Sequence, residues 1–203
     1  MKKIILALVI VLLGFGVYWY FIKEKKPAQQ EAKTAAIKVQ KNSASFNNGI
    51  DSILTTYFAI KDAFVDADTA KAKAATRQLM SMTDSSRLLE LKKDPSGIFE
   101  SATMQLNDVK LNAESLLTQI DITEMRQDFR MIGESMYPLL KTIRYEGKNL
   151  YWQNCPMAFG EDKGANWISN TAEIINPYLG KNHPEFKATM LHCGEVKDSI
   201  VAQ

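Results

Sequence analysis

Hydrophobic residues follow three successive patterns along the chain. The first is an uncharged apolar run over residues 4–22, with lysines on both sides. A helix of that length spans the core of a bilayer. Aromatic residues at positions 18–20 lie where an interfacial belt is expected. We therefore predict a membrane anchor in residues 1–26. A cleaved signal sequence is the alternative, because basic residues before an apolar run are its signature too.

Residues 27–45 contain almost no large apolar side chains and are rich in Ala, Gln, Lys, Ser and Asn. Such a segment cannot bury enough surface to fold alone. We predict a flexible tether here, followed by a folded body.

The second pattern, over residues 46–144, has apolar residues near a 3.6-residue spacing, which predicts helices. Asp68 is positioned as an N-cap, and Asp121 with Glu124 has the pattern of a capping box. Residues 94–97 (Asp-Pro-Ser-Gly) break the chain. Pro138 predicts a kink in the last long helix. Several helices joined by short breaks predict an antiparallel bundle.

The third pattern, in residues 145–203, consists of short apolar clusters separated by glycine and proline. Residues 150–153 and 166–169 predict the two strands of a hairpin. Residues 186–192 predict one further short element, either strand or helical turn. The predicted fold class is therefore mainly α: an antiparallel helical bundle with a small C-terminal β-hairpin and loop module, after an N-terminal transmembrane helix.

The charge balance argues against nucleic acid as a partner. The chain has 25 basic and 23 acidic residues and a net charge of +2. Five of the lysines and one glutamate flank the apolar N-terminus, which leaves 20 basic and 22 acidic residues elsewhere. A body with a small negative balance and no basic stripe does not fit a nucleic-acid surface.

The candidate chemistry lies in two short C-terminal segments that contain both cysteines. Cys155 is followed at the second position by Met157, and the other segment contains Met190, His192 and Cys193. Thiolate, thioether and imidazole together favour a soft ion, Cu(I) before Zn(II). In an extended backbone alternate side chains share a face, so each segment can present a ligand pair. We predict a metal site built from these five residues.

A disulfide between Cys155 and Cys193 is the competing interpretation, with no metal bound. Exported chains with two cysteines usually bridge them, and this bridge would staple a glycine-rich segment.

His183, beside a proline in a polar loop, is expected to be exposed to solvent. The two histidines leave few ways to assemble a catalytic triad, and no Cys-x-x-Cys motif is present, so we expect no enzyme.

Five sequence motifs resemble an uncharacterised bacterial domain family over about residues 46–196. Members of that family occur alone or fused to periplasmic adaptor subunits of copper/silver-type heavy-metal efflux pumps. The motifs are Tyr57-Phe58-Ala-Ile-Lys61-Asp62-Ala63, Tyr151-Trp-Gln-Asn-Cys155-Pro-Met157-Ala, Trp167-Ile-Ser, Ile175-Asn-Pro-Tyr-Leu-Gly180 and Met190-Leu-His-Cys193-Gly194-Glu195.

This resemblance implies a metal-handling context in the cell envelope. We expect a protein anchored in the inner membrane with its body in the periplasm, or secreted if the N-terminus is cleaved. Its expected function is to buffer Cu(I) or a similar ion, or to pass it to an efflux-pump adaptor. The alternative is a disulfide-stapled interaction module of an envelope complex that binds no metal.

Overall fold

A computed structural model describes residues 41–202 together with Tyr18, so the predicted anchor and most of the tether lie outside the described residues. The described part is mainly helical, with five helices and a small antiparallel sheet of three strands. The helices are α1 (Ala44–Val65), α2 (Thr69–Met80), a 3-10 helix (Ser85–Lys93), α3 (Ile98–Thr118) and α4 (Ile122–Thr142). The predicted mainly helical class with a bundle is confirmed.

Side-chain caps start the helices where the sequence predicts them. The carboxylate of Asp68 accepts a hydrogen bond from the backbone N–H of Lys71 at 2.9 Å. Asp121 accepts from the N–H groups of Thr123 and Glu124 at 2.7 and 3.1 Å. These bonds satisfy N–H groups that have no partner within the first turn of a helix. Pro138 lies inside α4, which continues to Thr142.

The sheet contains the predicted hairpin and one strand that the sequence did not reveal. Strands β1 (Leu150–Cys155), β2 (Ala165–Ser169) and β3 (Glu195–Ile200) lie in the order β2-β1-β3. Both neighbours of β1 are antiparallel to it. Strand β3 is exposed along most of its length. It therefore lacks the alternation of apolar and polar residues that identifies a half-buried strand.

One helix was missed, and one ambiguous segment is decided by the structure. The 3-10 helix was not predicted, although it buries Leu88 and Leu91. Residues 186–192 consist mainly of turns, so the strand alternative is wrong and the helical turn is the nearer of the two. Those turns are closed by local backbone bonds, such as Thr189 N–H to the Phe186 carbonyl at 3.0 Å and Leu191 N–H to the Ala188 carbonyl at 3.1 Å.

Helices and sheet share one hydrophobic core. Tyr57 of α1 stacks on Phe129 of α4, with ring centroids 5.0 Å apart, and both side chains are fully buried. The Tyr57 hydroxyl accepts a hydrogen bond from the backbone N–H of Ile168 in β2 at 3.1 Å. Asn166 of β2 donates to the carboxylate of Glu134 in α4 at 2.7 Å. The C-terminal module is therefore packed onto the helices through β2.

Among the described residues, no helix is long and apolar enough to cross a membrane. The apolar run of residues 4–22 in the predicted anchor lies outside the described residues.

We predict that Tyr57→Phe lowers the free energy of unfolding by about 1–3 kcal/mol, since the buried N–H of Ile168 loses its acceptor while ring packing is kept. Urea unfolding followed by circular dichroism measures the change. Tyr151→Phe is the matched control, because Tyr151 is half-buried and its hydroxyl makes no hydrogen bond to the described residues. Equal stability of Tyr57→Phe and wild type would contradict the role of this bond.

Candidate functional site

The structure brings the two cysteines into contact, although they are 38 positions apart in sequence. Their Sγ atoms lie 2.9 Å from each other, and both are free thiols. Cys155 is the last residue of the central strand β1, where it pairs with Ala165 of β2. Pro156 follows it and has no N–H to continue the ladder. Cys193 lies just before β3, which returns along the other side of β1.

The two thiols differ in exposure. Cys155 is fully buried, whereas Cys193 is partly exposed. Burial raises the pKa of Cys193 to about 12, and the neighbouring Cys155 adds to the shift. A thiol becomes a nucleophile only as the thiolate, so Cys193 is a weak nucleophile at neutral pH.

Asn176 is the residue that positions Cys193, and sequence analysis did not identify it. Its side chain is fully buried. The amide group donates to the carbonyl of Cys193 at 2.8 Å. The side-chain oxygen accepts from the backbone N–H groups of Tyr178 and Leu179 at 2.8 and 3.0 Å. One amide thus closes a turn and fixes the segment that contains Cys193. The Asn-Pro dipeptide was the available signal, because Asn commonly closes such turns.

Gly194 allows the chain to pass close to β1 immediately after Cys193. Its φ is +144°, and a Cβ atom at this position would lie 2.6 Å from the carbonyl oxygen of Asn154. Such a separation is too short for any side chain. A glycine is required here for both conformation and space, so the approach of Cys193 to Cys155 depends on it.

Gln153 ties the loop after β2 to the same part of β1. It is fully buried, and its amide donates to the carbonyls of Thr171 and Glu173 at 2.9 and 3.1 Å. This side chain was also missed, because a glutamine in a strand carries no distinctive sequence signal. The loop it holds includes Ile174, whose carbonyl lies 2.7 Å from Nδ1 of His192.

The other predicted ligands lie in the same two segments as the cysteines. Met157 and Met190 are partly buried and pack against the core. Met157 also lines a cleft with Phe159 and Phe186. His192 is exposed, and its Nδ1 is held by the carbonyl of Ile174. The direct contact that the structure shows among the five predicted residues is the one between the two thiols.

Within residues 41–202, no group of three or more His, Cys, Asp and Glu side chains is arranged to hold a metal ion. Methionine sulfur is outside that set of donors.

His183, predicted to be exposed, is half-buried and stacks on Phe186 with ring centroids 4.9 Å apart. His183 is therefore less exposed than predicted, because its ring packs against Phe186 and lines the cleft.

One known family model is similar to part of the chain, and that domain type has no known role. The family described as "Protein of unknown function (DUF3347)" matches residues 53–147. The match covers the helices from within α1 to the end of α4, including the motif that begins at Tyr57. It ends before β1, so both cysteines lie outside it. No curated protein and no solved structure shows a significant match to the chain.

We predict that Cys193 of the reduced protein is alkylated slowly at pH 8, with a rate that rises about tenfold per pH unit up to about pH 10. A pKa raised to about 12 keeps the thiolate fraction small throughout this range. Iodoacetamide labelling with peptide mapping measures the rate at each cysteine.

The matched control is Cys155→Ser, which removes the neighbouring thiol but keeps the burial of Cys193. Its Cys193 is expected to react faster at pH 8 than in wild type. Cys155 of the wild type is expected to stay unlabelled until the protein unfolds. A rate that levels off near pH 9, as for an ordinary thiol, would show that the environment of Cys193 is not as described.

Proposed function

We propose that this chain is a non-catalytic binding module of the cell envelope whose C-terminal sheet is locked by a disulfide between Cys155 and Cys193. The observation that carries the proposal is the 2.9 Å separation of the two sulfur atoms. The bond joins the end of the central strand to the segment that enters β3. Its formation fixes the C-terminal strand, which has few buried side chains of its own.

Bond formation is a two-electron oxidation. Both thiols lose a proton, the S–S bond forms, and two electrons pass to an oxidised dithiol, such as the disulfide of a thiol oxidoreductase. The partly exposed Cys193 is the sulfur that such an oxidant reaches first. The resulting mixed disulfide is then resolved by Cys155. Because the pKa of Cys193 is high, uncatalysed oxidation is slow at neutral pH.

An oxidising compartment is required for such a bond, and the sequence supports one. The apolar run of residues 4–22 is suited to carry the body across a membrane or to anchor it there. The proposed location is therefore the periplasmic side of the inner membrane, with release after signal cleavage as the alternative. A docking role beside an efflux-pump adaptor follows from the family resemblance and is part of the proposal.

Cu(I) binding by the reduced pair is the second candidate function. The geometry at His192 favours it, because Nδ1 is held by a backbone carbonyl at 2.7 Å and Nε2 is then left with its lone pair. Histidine ligands of metals are commonly oriented in this way. The two thiolates would bind the Cu(I) ion together with a third ligand from His192, Met157 or Met190. The proposed role is to buffer the ion or to transfer it to an efflux partner. Zn(II) fits this sulfur-rich set less well.

We predict that full-length protein isolated from cell envelopes without reductant has lost two hydrogen atoms relative to the dithiol form. Intact-mass measurement after blocking free thiols detects the difference. Reduction is expected to lower the free energy of unfolding by about 4 kcal/mol at most, given a closed loop of this length. The double variant Cys155→Ser with Cys193→Ser should unfold like the reduced wild type and should not respond to reductant.

Cu(I) titration of the reduced full-length protein against a competing chelator separates the two candidates. The disulfide proposal is overturned if protein from the envelope holds two free thiols. The copper candidate is supported if the reduced form takes up about one equivalent. Uptake should collapse in either single Cys→Ser variant and weaken in Met157→Leu and Met190→Leu. Absence of uptake by the reduced wild type rules out the copper candidate.

A further inference from the structure

A cleft of about 320 Å³ lies between α4 and the loops of the C-terminal module, next to the cysteine pair but formed by other side chains. Its apolar wall consists of Met157, Phe159, Tyr178, Leu179 and Phe186. Phe159 packs against Tyr178 with ring centroids 5.3 Å apart, so the wall is largely aromatic. A concave apolar space of this size with a few polar groups is typical of a small-molecule site.

Arg126 of α4 lines this cleft and is only 5% exposed. Its Nη2 donates to the carbonyl of Phe64, at the end of α1, at 2.8 Å. Nε is buried and has no hydrogen-bond partner. None of the ion pairs among the described residues includes Arg126. A guanidinium has five N–H donors, so capping α1 leaves most of them unused.

A buried cation without a carboxylate partner is costly, because burial removes the water that stabilises its charge. Burial lowers the pKa of Arg126 to about 10, and Asp121 partly opposes this shift. The guanidinium is still charged at neutral pH. Keeping this charge away from water is unfavourable. An anion inside the cleft would balance the charge and accept hydrogen bonds from the free N–H donors.

The other titratable groups around the cleft limit the ligand to a single negative charge. The pKa of His183 is lowered by burial and by Arg126, and its Nδ1 accepts from the N–H of Glu185 at 3.2 Å, so the ring is neutral. Glu161 and Glu185 line the cleft with exposed side chains and disfavour a second negative charge. Arg126 is thus the single cation among the cleft-lining residues.

We propose that this cleft binds a small monocarboxylate with an apolar body. The carboxylate pairs with the free donors of Arg126, and the body lies against Phe159 and Phe186. A guanidinium matches a carboxylate through two parallel hydrogen bonds, which accounts for the choice of arginine at this depth. The proposal does not depend on the redox state of Cys155 and Cys193, nor on any metal.

The test uses 3-phenylpropionate as probe and 3-phenylpropionamide as its uncharged isostere, titrated into the full-length protein. Binding is measured by calorimetry and by saturation-transfer NMR. Saturable binding of the carboxylate is expected, with at least tenfold weaker binding of the amide, because the ion pair is lost. Arg126→Met should lose the preference for the carboxylate. Arg77→Met, which removes an exposed arginine of α2, should leave it unchanged.

The proposal is overturned if wild type shows no saturable binding of the carboxylate, or if the amide binds equally well. It is also overturned if Arg77→Met and Arg126→Met lose binding to the same extent. Arg126→Met also removes the cap on α1, so its fold is checked by circular dichroism. If that variant does not fold, the comparison of the two probes in wild type still decides, because it involves no substitution.

Discussion

The contact between β2 and the helices is the constraint on which the rest of the structure depends. A three-stranded sheet with one exposed outer strand buries little apolar surface and gains stability mainly by packing against another layer. Here Trp167 and Ile168 of β2 are fully buried, and Tyr57 of α1 bonds to the backbone of the same strand. Since β2 is aligned on the helices, the register of β1 follows, and with it the position of Cys155.

The helices matched by the family model and the segments that contain the two cysteines belong to one folded unit. The matched residues 53–147 supply α4, and α4 forms the surface on which β2 lies. Tyr178, which follows the turn made by Asn176, packs against Phe129 of α4 with centroids 6.2 Å apart. The loop that leads to Cys193 is thus held by the same helix. The two thiols are therefore brought together by the packing of their backbone segments and not by a bond between them.

Much of the fold follows from local signals in the sequence. The helical spacing, the caps Asp68 and Asp121 and the hairpin strands were all predicted, because each depends on residues within a few positions. Strand β3 was not, since Val196 and its neighbours are exposed and the strand exists through backbone pairing with β1. At the site, the two cysteines were identified by residue type. Asn176, Gln153 and Arg126 were missed, because their roles come from burial and distant contacts that no short sequence pattern encodes.

Strand β3 forms one free border of the sheet, and its composition has a consequence for association between copies. An unpaired strand offers its backbone groups to any other extended chain, which is a common origin of aggregation. Here the border is short and carries Lys197 and Asp198, and the latter is paired with Lys141 of α4. Charges on an outermost strand oppose stacking of a further strand beside it. The charges on β3 therefore disfavour pairing of a further strand along this edge.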